Sequence, residues 1–93
     1  MQIRWSRSAS QDLERIFERI RRDKPVAAER VIQSIYDSCT ALQDFPNRGR
    51  SGRMKGRREL VLAPLPYIAV YRVNEKEQVV EIARIYHGAQ DWP

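Results

Sequence analysis

The sequence predicts an α+β domain in which an αα-hairpin packs on one side of an antiparallel sheet, and three observations lead there. Apolar residues recur every three or four positions through the first half of the chain, as they do in amphipathic helices. A stretch rich in glycine and arginine follows. Beyond it β-branched and aromatic residues dominate, as they do in strands. The predicted order of elements is β-α-α-β-β-β, within a single domain at residues 1–93.

The chain is predicted to begin with a strand and a helix. Ile3 and Trp5 alternate with polar residues, which predicts a strand at residues 2–5. Ser8 stands three residues before Gln11, the spacing of a capping box, and predicts the start of the first helix. The apolar stripe of this helix is Ala9, Leu13, Ile16, Phe17 and Ile20.

A second helix is predicted to begin at Pro25, because a proline in the first turn removes no helical hydrogen bond. Its apolar stripe is Ala28, Val31, Ile32, Ile35, Tyr36, Cys39 and Leu42. The charged residues of the first helix, from Asp12 to Arg22, are predicted to face solvent. Together the two helices form an αα-hairpin.

Residues 47–56 are predicted to form a long exposed loop, because three glycines are interspersed with basic residues. Three strands are predicted after it, at residues 59–62, 67–73 and 79–86. The short connections between them require antiparallel pairing.

The positive charge of the chain is concentrated in residues 48–58, which we call the basic segment. The chain has a net charge of +5, from 17 basic and 12 acidic residues. The basic segment contains six cations and no acid, namely Arg48, Arg50, Arg53, Lys55, Arg57 and Arg58, which leaves 11 basic residues elsewhere. Such a cluster favours RNA, DNA or an acidic protein segment as partner, although an ordinary solvated loop has the same composition.

The composition argues against several classes of protein. No apolar run approaches the roughly 18 to 20 residues that span a bilayer, and the N-terminus lacks the apolar core of a signal peptide, so we expect a cytoplasmic protein without a membrane partner. One cysteine and one histidine supply neither an internal disulfide nor a zinc ligand set. No phosphate-binding loop or hydrolase motif is present, and no cofactor is expected.

Four phrases, in order along the chain, resemble the RelE/ParE toxin superfamily. SASQDLERI at residues 8–16 is similar to the start of the family's first helix, and PNRGR at residues 46–50 to the loop after its second helix. RELV at residues 58–61 and PYIAVYRV at residues 66–73 resemble its paired central strands. EIARIYHGAQDWP at residues 81–93 resembles its last strand and tail. The resemblance implies a RelE/ParE-like fold and the toxin half of a type II toxin–antitoxin pair.

The resemblance also implies a target and a partner. Toxins of this superfamily arrest growth by acting on DNA gyrase or on the translating ribosome, and a cognate acidic antitoxin silences them and is expected to set the oligomeric state. Ribosome-dependent members cleave mRNA, which requires cations around a phosphate and groups that move protons. Gyrase-directed members need only a binding surface.

We favour the ParE branch, whose members act on gyrase, for two reasons. The nuclease pattern has an arginine early in the central strand, whereas this chain has Tyr67, Ile68 and Ala69 there. The tail HGAQDWP resembles members grouped with ParE more than the nucleases. The alternatives are a ribosome-dependent mRNA endonuclease and a non-toxic basic module that binds nucleic acid.

If the chain is a nuclease, Arg72, Arg84 and His87 are the candidate catalytic residues. His87 matches the C-terminal histidine of some family nucleases and would act as a general acid, because histidine transfers protons near neutral pH. The interpretation that we favour is a structural tail, with His87 hydrogen-bonded to backbone and Trp92 packed on the fold.

The strand arginines allow two arrangements. Arg72 and Arg84 could converge with Arg58 on one phosphate, since all three lie in strands predicted to be neighbours. Alternatively they lie on the solvent side of the sheet, in cross-strand ion pairs with Glu59 or Glu81.

The candidate residues for binding target or antitoxin are the six cations of the basic segment together with Tyr71 and Tyr86. Tyrosines beside cations can stack on nucleic-acid bases. Aromatic residues in strands more often pack in the core, however, and we expect this for at least two of Tyr67, Tyr71 and Tyr86.

Overall fold

The computed structural model of the chain describes residues 1–89 and confirms the α+β fold class. Its elements are β1 (Gln2–Trp5), α1 (Arg7–Arg21), α2 (Pro25–Thr40), a 3-10 turn (Ala41–Gln43), β2 (Arg50–Ser51), β3 (Arg58–Val61), β4 (Tyr67–Asn74) and β5 (Val79–His87). Each predicted helix and strand is present within a few residues of its predicted bounds. The two-residue strand β2 is additional and lies inside the predicted loop.

The sheet is mixed, whereas the sequence predicted an antiparallel one. Its strand order is β1-β5-β4-β3-β2. β1 runs parallel to β5, while the other three pairs are antiparallel. A short connection enforces antiparallel pairing only between strands that are neighbours in sequence. β1 and β5 lie at opposite ends of the chain, so no turn constrains their relative direction.

The first helix begins two residues earlier than the capping box predicted. Ser6 is the N-cap, with an extended backbone, and its Oγ accepts a hydrogen bond from the Ala9 N–H at 3.0 Å. The same hydroxyl donates to the Ala83 carbonyl at 2.8 Å, so the cap also joins α1 to β5. The prediction for α2 is confirmed, since Pro25 occupies its first turn. Neither helix in residues 1–89 has the length and apolarity to cross a membrane.

The core lies between the two helices and one face of the sheet. Its fully buried large side chains are Tyr71, Ile35, Leu42, Ile82, Val80 and Cys39. Burial raises the pKa of Cys39 to about 12, so its thiol remains protonated and acts as a small apolar group. The other face of the sheet has no helix over it in residues 1–89.

A β-bulge changes which side chains of β5 face the core. Val70 is opposite Arg84, but the next residue of β4, Tyr71, is opposite Ile82, so Ala83 is the extra residue. Strict alternation from Ile82 would direct Arg84 beneath the helices and Ile85 away from them. The bulge reverses this, since Ile85 joins the core. Arg84 is thereby left at the margin of the core.

Candidate functional site

A groove of about 500 Å³ lies between α1 and the C-terminal end of β5, and we call it the α1–β5 groove. Its lining includes four arginines, Arg15, Arg19, Arg22 and Arg84, and three rings, those of Tyr67, Tyr86 and His87. Asp12 and Glu18 are its acids. Two predicted catalytic residues, Arg84 and His87, therefore lie in one place. Within residues 1–89 no cluster of His, Cys, Asp or Glu side chains could hold a metal ion.

Asp12 is the centre of the groove's hydrogen bonding. It is 5% exposed, and its carboxylate accepts hydrogen bonds from Arg84 Nε at 2.8 Å and from Arg84 Nη2 at 3.1 Å. The backbone N–H of Ile85 donates to the same carboxylate at 2.9 Å, and Arg15 Nη1 does so at 3.1 Å. The hydrogen bond from Arg84 to Asp12 raises the pKa of the arginine, so its guanidinium remains charged. The pairing of β1 with β5 ends at Ile82. Beyond that point, the Asp12 carboxylate of α1 accepts the backbone hydrogen bond of β5 that has no strand beside it.

The prediction that Asp12 faces solvent is wrong, and the sequence contained a signal against it. Ala9, Asp12 and Ile16 are three and four residues apart, so the acid falls on the buried stripe of the helix. A buried carboxylate requires several donors. Those donors come from β5, which a helical pattern does not reveal.

Of the two arrangements that the sequence allowed for the strand arginines, the structure does not have the convergence of Arg58, Arg72 and Arg84. Arg72 Nη2 lies 3.0 Å from Glu81, in the cross-strand ion pair that was the alternative prediction. Arg58 Nη1 donates to the Gly49 carbonyl at 2.8 Å. With Arg84 held by Asp12, the three guanidinium groups therefore have three separate partners.

His87 contacts its own tail. Its Nδ1 accepts a hydrogen bond from the Ala89 N–H at 3.1 Å, and its ring meets Tyr67 edge-on at 5.5 Å between centroids. A neutral ring in this arrangement carries its proton on Nε2. The predicted hydrogen bond between His87 and backbone is confirmed. The predicted packing of Trp92 lies outside the described residues.

The tyrosines divide between core and groove. Tyr67 and Tyr71 are buried, which confirms the expectation that at least two of the three pack in the core. Tyr86 is half-buried, and the guanidinium carbon of Arg84 lies 4.9 Å from its ring centre. Of the tyrosines predicted to bind a partner, only Tyr86 lines the groove.

The prediction of Tyr71 as a binding residue is wrong, because its side chain has no exposed surface. Its hydroxyl donates to the Pro46 carbonyl at 2.7 Å and accepts from the Gly49 N–H at 2.8 Å. Burial raises the pKa of Tyr71, so the phenol remains protonated and able to donate. Tyr71 therefore anchors the start of the basic segment from below.

The basic segment is mostly exposed, as predicted, but it is also folded against β3, a contact that the sequence did not predict. Glu59, which is 4% exposed, accepts hydrogen bonds from the Arg50 guanidinium at 3.1 Å and from the Arg53 N–H at 3.0 Å. Arg48 lies over the Phe45 ring, 5.8 Å from its centre. The exposed cations of the segment are Arg48, Arg50, Arg53 and Lys55. A cationic surface is therefore present, on an ordered backbone.

Comparison with known proteins decides the family. The family model for the ParE toxin of the type II toxin-antitoxin system, parDE, matches residues 3–92. The chain belongs to this family. It is therefore the toxin component of a type II toxin–antitoxin system, and the predicted place in the ParE branch of the RelE/ParE superfamily is confirmed.

Relatives and solved structures agree with this assignment. A putative toxin, Y4kP, of Sinorhizobium fredii is 44% identical over 98% of this chain and 92% of its own length. Toxin RelE2 of Caulobacter vibrioides is 35% identical over 96% of this chain and 97% of its own. A solved chain from the chromosomal ParDE system of P. aeruginosa is 30% identical, with a TM-score of 0.85, and the match covers 94% of this chain and 95% of that one.

Proposed function

We propose that this toxin arrests growth by binding DNA gyrase and that it does not cleave mRNA. The observation that carries the proposal is the position of Arg84, which is bound through two nitrogens to the buried carboxylate of Asp12. RNA cleavage requires cations free to stabilise the negative charge that develops on the phosphate. A guanidinium already neutralised by a carboxylate is poorly suited to this task.

The other candidates for a nuclease site support the same proposal. Arg72 is paired with Glu81, and Arg58 donates to backbone carbonyl groups. The position early in β4, where the nuclease pattern has an arginine, holds the buried ring of Tyr67. Gyrase is the target that membership of the ParE branch implies. A toxin that acts by binding gyrase needs a binding surface but no groups that transfer protons.

The proposal is tested by expressing the toxin without an antitoxin and by adding the purified chain to two reactions. We expect growth to stop, gyrase to lose its ability to supercoil relaxed plasmid, and ribosome-bound mRNA to remain intact. A His87→Ala variant should inhibit gyrase as the wild type does, because the binding surface needs no general acid. If cells that express the chain without an antitoxin grow normally, the chain is not toxic, and the alternative of a non-toxic basic module that binds nucleic acid is favoured.

The second candidate is a ribosome-dependent mRNA endonuclease, which one observation favours. Arg84 and His87 line the same groove, together with the exposed Arg15 and Arg19. Cleavage of mRNA at ribosome-occupied codons, with supercoiling unaffected, would establish this candidate. If the Arg84→Ala and His87→Ala variants both fail to cleave mRNA, the cleavage is assigned to the α1–β5 groove.

We also propose that a cognate acidic antitoxin neutralises the toxin by covering the basic segment and the sheet, through an amphipathic helix and an extended segment. The exposed side chains of the basic segment supply the complementary charge, and Tyr86 adds an aromatic surface. A variant with Arg48→Gln, Arg53→Gln and Lys55→Gln removes three exposed cations while leaving the Arg50 and Arg58 hydrogen bonds in place. An unchanged affinity for the antitoxin in this variant would contradict a role for the segment.

A further inference from the structure

The turn that joins β2 to β3, residues 52–57, carries two cations that have no acidic partner in the described part of the chain. Neither Lys55 nor Arg57 lies within ion-pair distance of an acid in residues 1–89. The turn is closed by a hydrogen bond from the Gly52 N–H to the Arg57 carbonyl at 2.7 Å. It therefore presents unbalanced positive charge on an ordered backbone.

A pocket of about 370 Å³, which we call the hairpin pocket, lies between this turn and the turn that joins β4 to β5. Arg58 is fixed at its wall, because Nη1 donates to the Gly49 carbonyl at 2.8 Å. A carbonyl group, unlike a carboxylate, leaves the charge of the guanidinium uncompensated. The lining has three cations and one acid, so it has an excess of two positive charges. Its charged and polar side chains are Lys55, Arg57, Arg58, Glu75, Asn47 and Ser51.

We propose that the hairpin pocket binds a backbone phosphate of duplex DNA. The inference rests on the proposed function, since the DNA that gyrase holds is the duplex that a gyrase-bound toxin would meet. Arginine, lysine, serine and asparagine side chains are typical donors to DNA phosphates, and all four line this pocket. Because backbone already fixes Arg58, ordering its side chain on DNA costs little entropy. The antitoxin that we propose to cover the basic segment would close the pocket, so DNA binding belongs to the free toxin.

The hairpin pocket suits a duplex better than a single strand because, within residues 1–89, no aromatic ring lines it. Single-stranded nucleic acids are bound largely through bases that stack on aromatic side chains. Duplex DNA offers instead a dense row of phosphates, with one negative charge per about 1.7 Å of helix axis. A two-stranded ribbon can enter the major groove. Met54, in the turn of this ribbon, is 43% exposed and supplies an apolar contact there.

The test titrates a fluorescent DNA duplex of twenty base pairs with the full chain, without gyrase, and follows fluorescence anisotropy at several salt concentrations. The pocket variant is Lys55→Gln and Arg57→Gln, which removes the two cations without acidic partners and keeps the Arg58 hydrogen bond. The control variant, Lys24→Gln and Arg30→Gln, removes the same charge from exposed positions outside the pocket. Circular dichroism establishes that each variant is folded before titration.

We expect the pocket variant to bind the duplex about tenfold more weakly than the wild type at low salt, and the control to lose less than about threefold. The slope of log affinity against log salt concentration should become less steep by about one in the pocket variant, because one phosphate contact is lost, and should not change in the control. Lys55→Glu, which reverses a charge at the pocket, should weaken binding more than Lys55→Gln does. A duplex of different sequence should bind equally well, since phosphate contacts do not read bases.

Three results would overturn the inference. They are a wild type that does not bind the duplex at low salt, equal losses in the pocket variant and the control, and a pocket-dependent loss confined to a twenty-nucleotide oligo-uridine while the duplex binds normally. Gyrase is absent from this titration, so its failure is distinct from failure of the supercoiling assay. A toxin that binds the duplex through the pocket but leaves supercoiling intact would support this inference and contradict the proposed function.

Discussion

The basic segment and the α1–β5 groove both present exposed arginines, but their charge arises in different ways. In the basic segment the cations are neighbours in sequence, and a window without acids contains six of them. In the groove the cations come from α1 and β5, where acids lie close to them in sequence, since α1 has four arginines and three acids and β5 has one of each. Folding engages two of the acids of α1, because Asp12 is buried against Arg84 and Glu18 pairs with Arg21.

The two surfaces also differ in how the fold holds them. The groove depends on one buried carboxylate that links a helix to the edge of a strand. The basic segment is held by several weaker contacts, from the Tyr71 hydroxyl below it and Glu59 beside it. We therefore expect single substitutions to disrupt the groove more than the segment, and four predictions test this ranking.

The largest expected effect is at Asp12. Asp12→Ala leaves the Ile85 N–H without its acceptor and Arg84 without its counterion, and we expect a loss of about 3 kcal/mol in the free energy of unfolding. The value is at the low end for a buried pair, because the Arg84 side chain is 36% exposed. Urea denaturation measures it, with Glu14→Ala on the exposed side of α1 as control. A loss no larger than that of the control would refute the central role of Asp12.

The next effect concerns the close packing of the basic segment on Tyr71. A Cβ at Gly49 would lie 2.7 Å from Tyr71 Cε1 and 2.9 Å from the Glu59 carbonyl oxygen. Gly49→Ala should therefore cost about 2 kcal/mol through overpacking. Gly88→Ala is the matched control, because its nearest atom would be 3.5 Å away. If both variants lower the unfolding temperature by the same amount, the basic segment is packed more loosely on Tyr71 than the contacts indicate.

A smaller loss is expected when only the anchoring hydroxyl is removed. Tyr71→Phe keeps the ring in the core but leaves the Pro46 carbonyl and the Gly49 N–H without this partner, which should cost about 1.5 kcal/mol. Hydrogen exchange should also become faster at the Gly49 amide. Unchanged exchange at that amide would argue against the anchoring role, whatever the stability.

The smallest effect is expected at the ion pair on the surface of the segment. The Arg50 side chain is 60% exposed, so water can replace it beside Glu59. Arg50→Ala should lower the free energy of unfolding by less than about 1 kcal/mol, and the difference should diminish in high salt. A loss comparable to that of Asp12→Ala would reverse the ranking of the two surfaces.

The candidate site could be predicted only in part. The cationic character of the basic segment was evident from composition, and the Arg72 and Glu81 pair was among the alternatives that strand alternation allowed. Tyr71 was assigned to a surface because a strand pattern does not reveal which face the helices cover. Asp12 was missed although its helical spacing placed it on the buried stripe.

The amino-acid sequence by itself determined the order of elements, the αα-hairpin, the basic segment and the resemblance to the toxin superfamily. These follow from local spacing and from residues that are adjacent along the chain. Only the tertiary structure decided the parallel pairing of β1 with β5, the bulge at Ala83 and the contact between Asp12 and Arg84, which are 72 residues apart. Such features depend on which distant segments meet, and burial then determines which charges remain exposed.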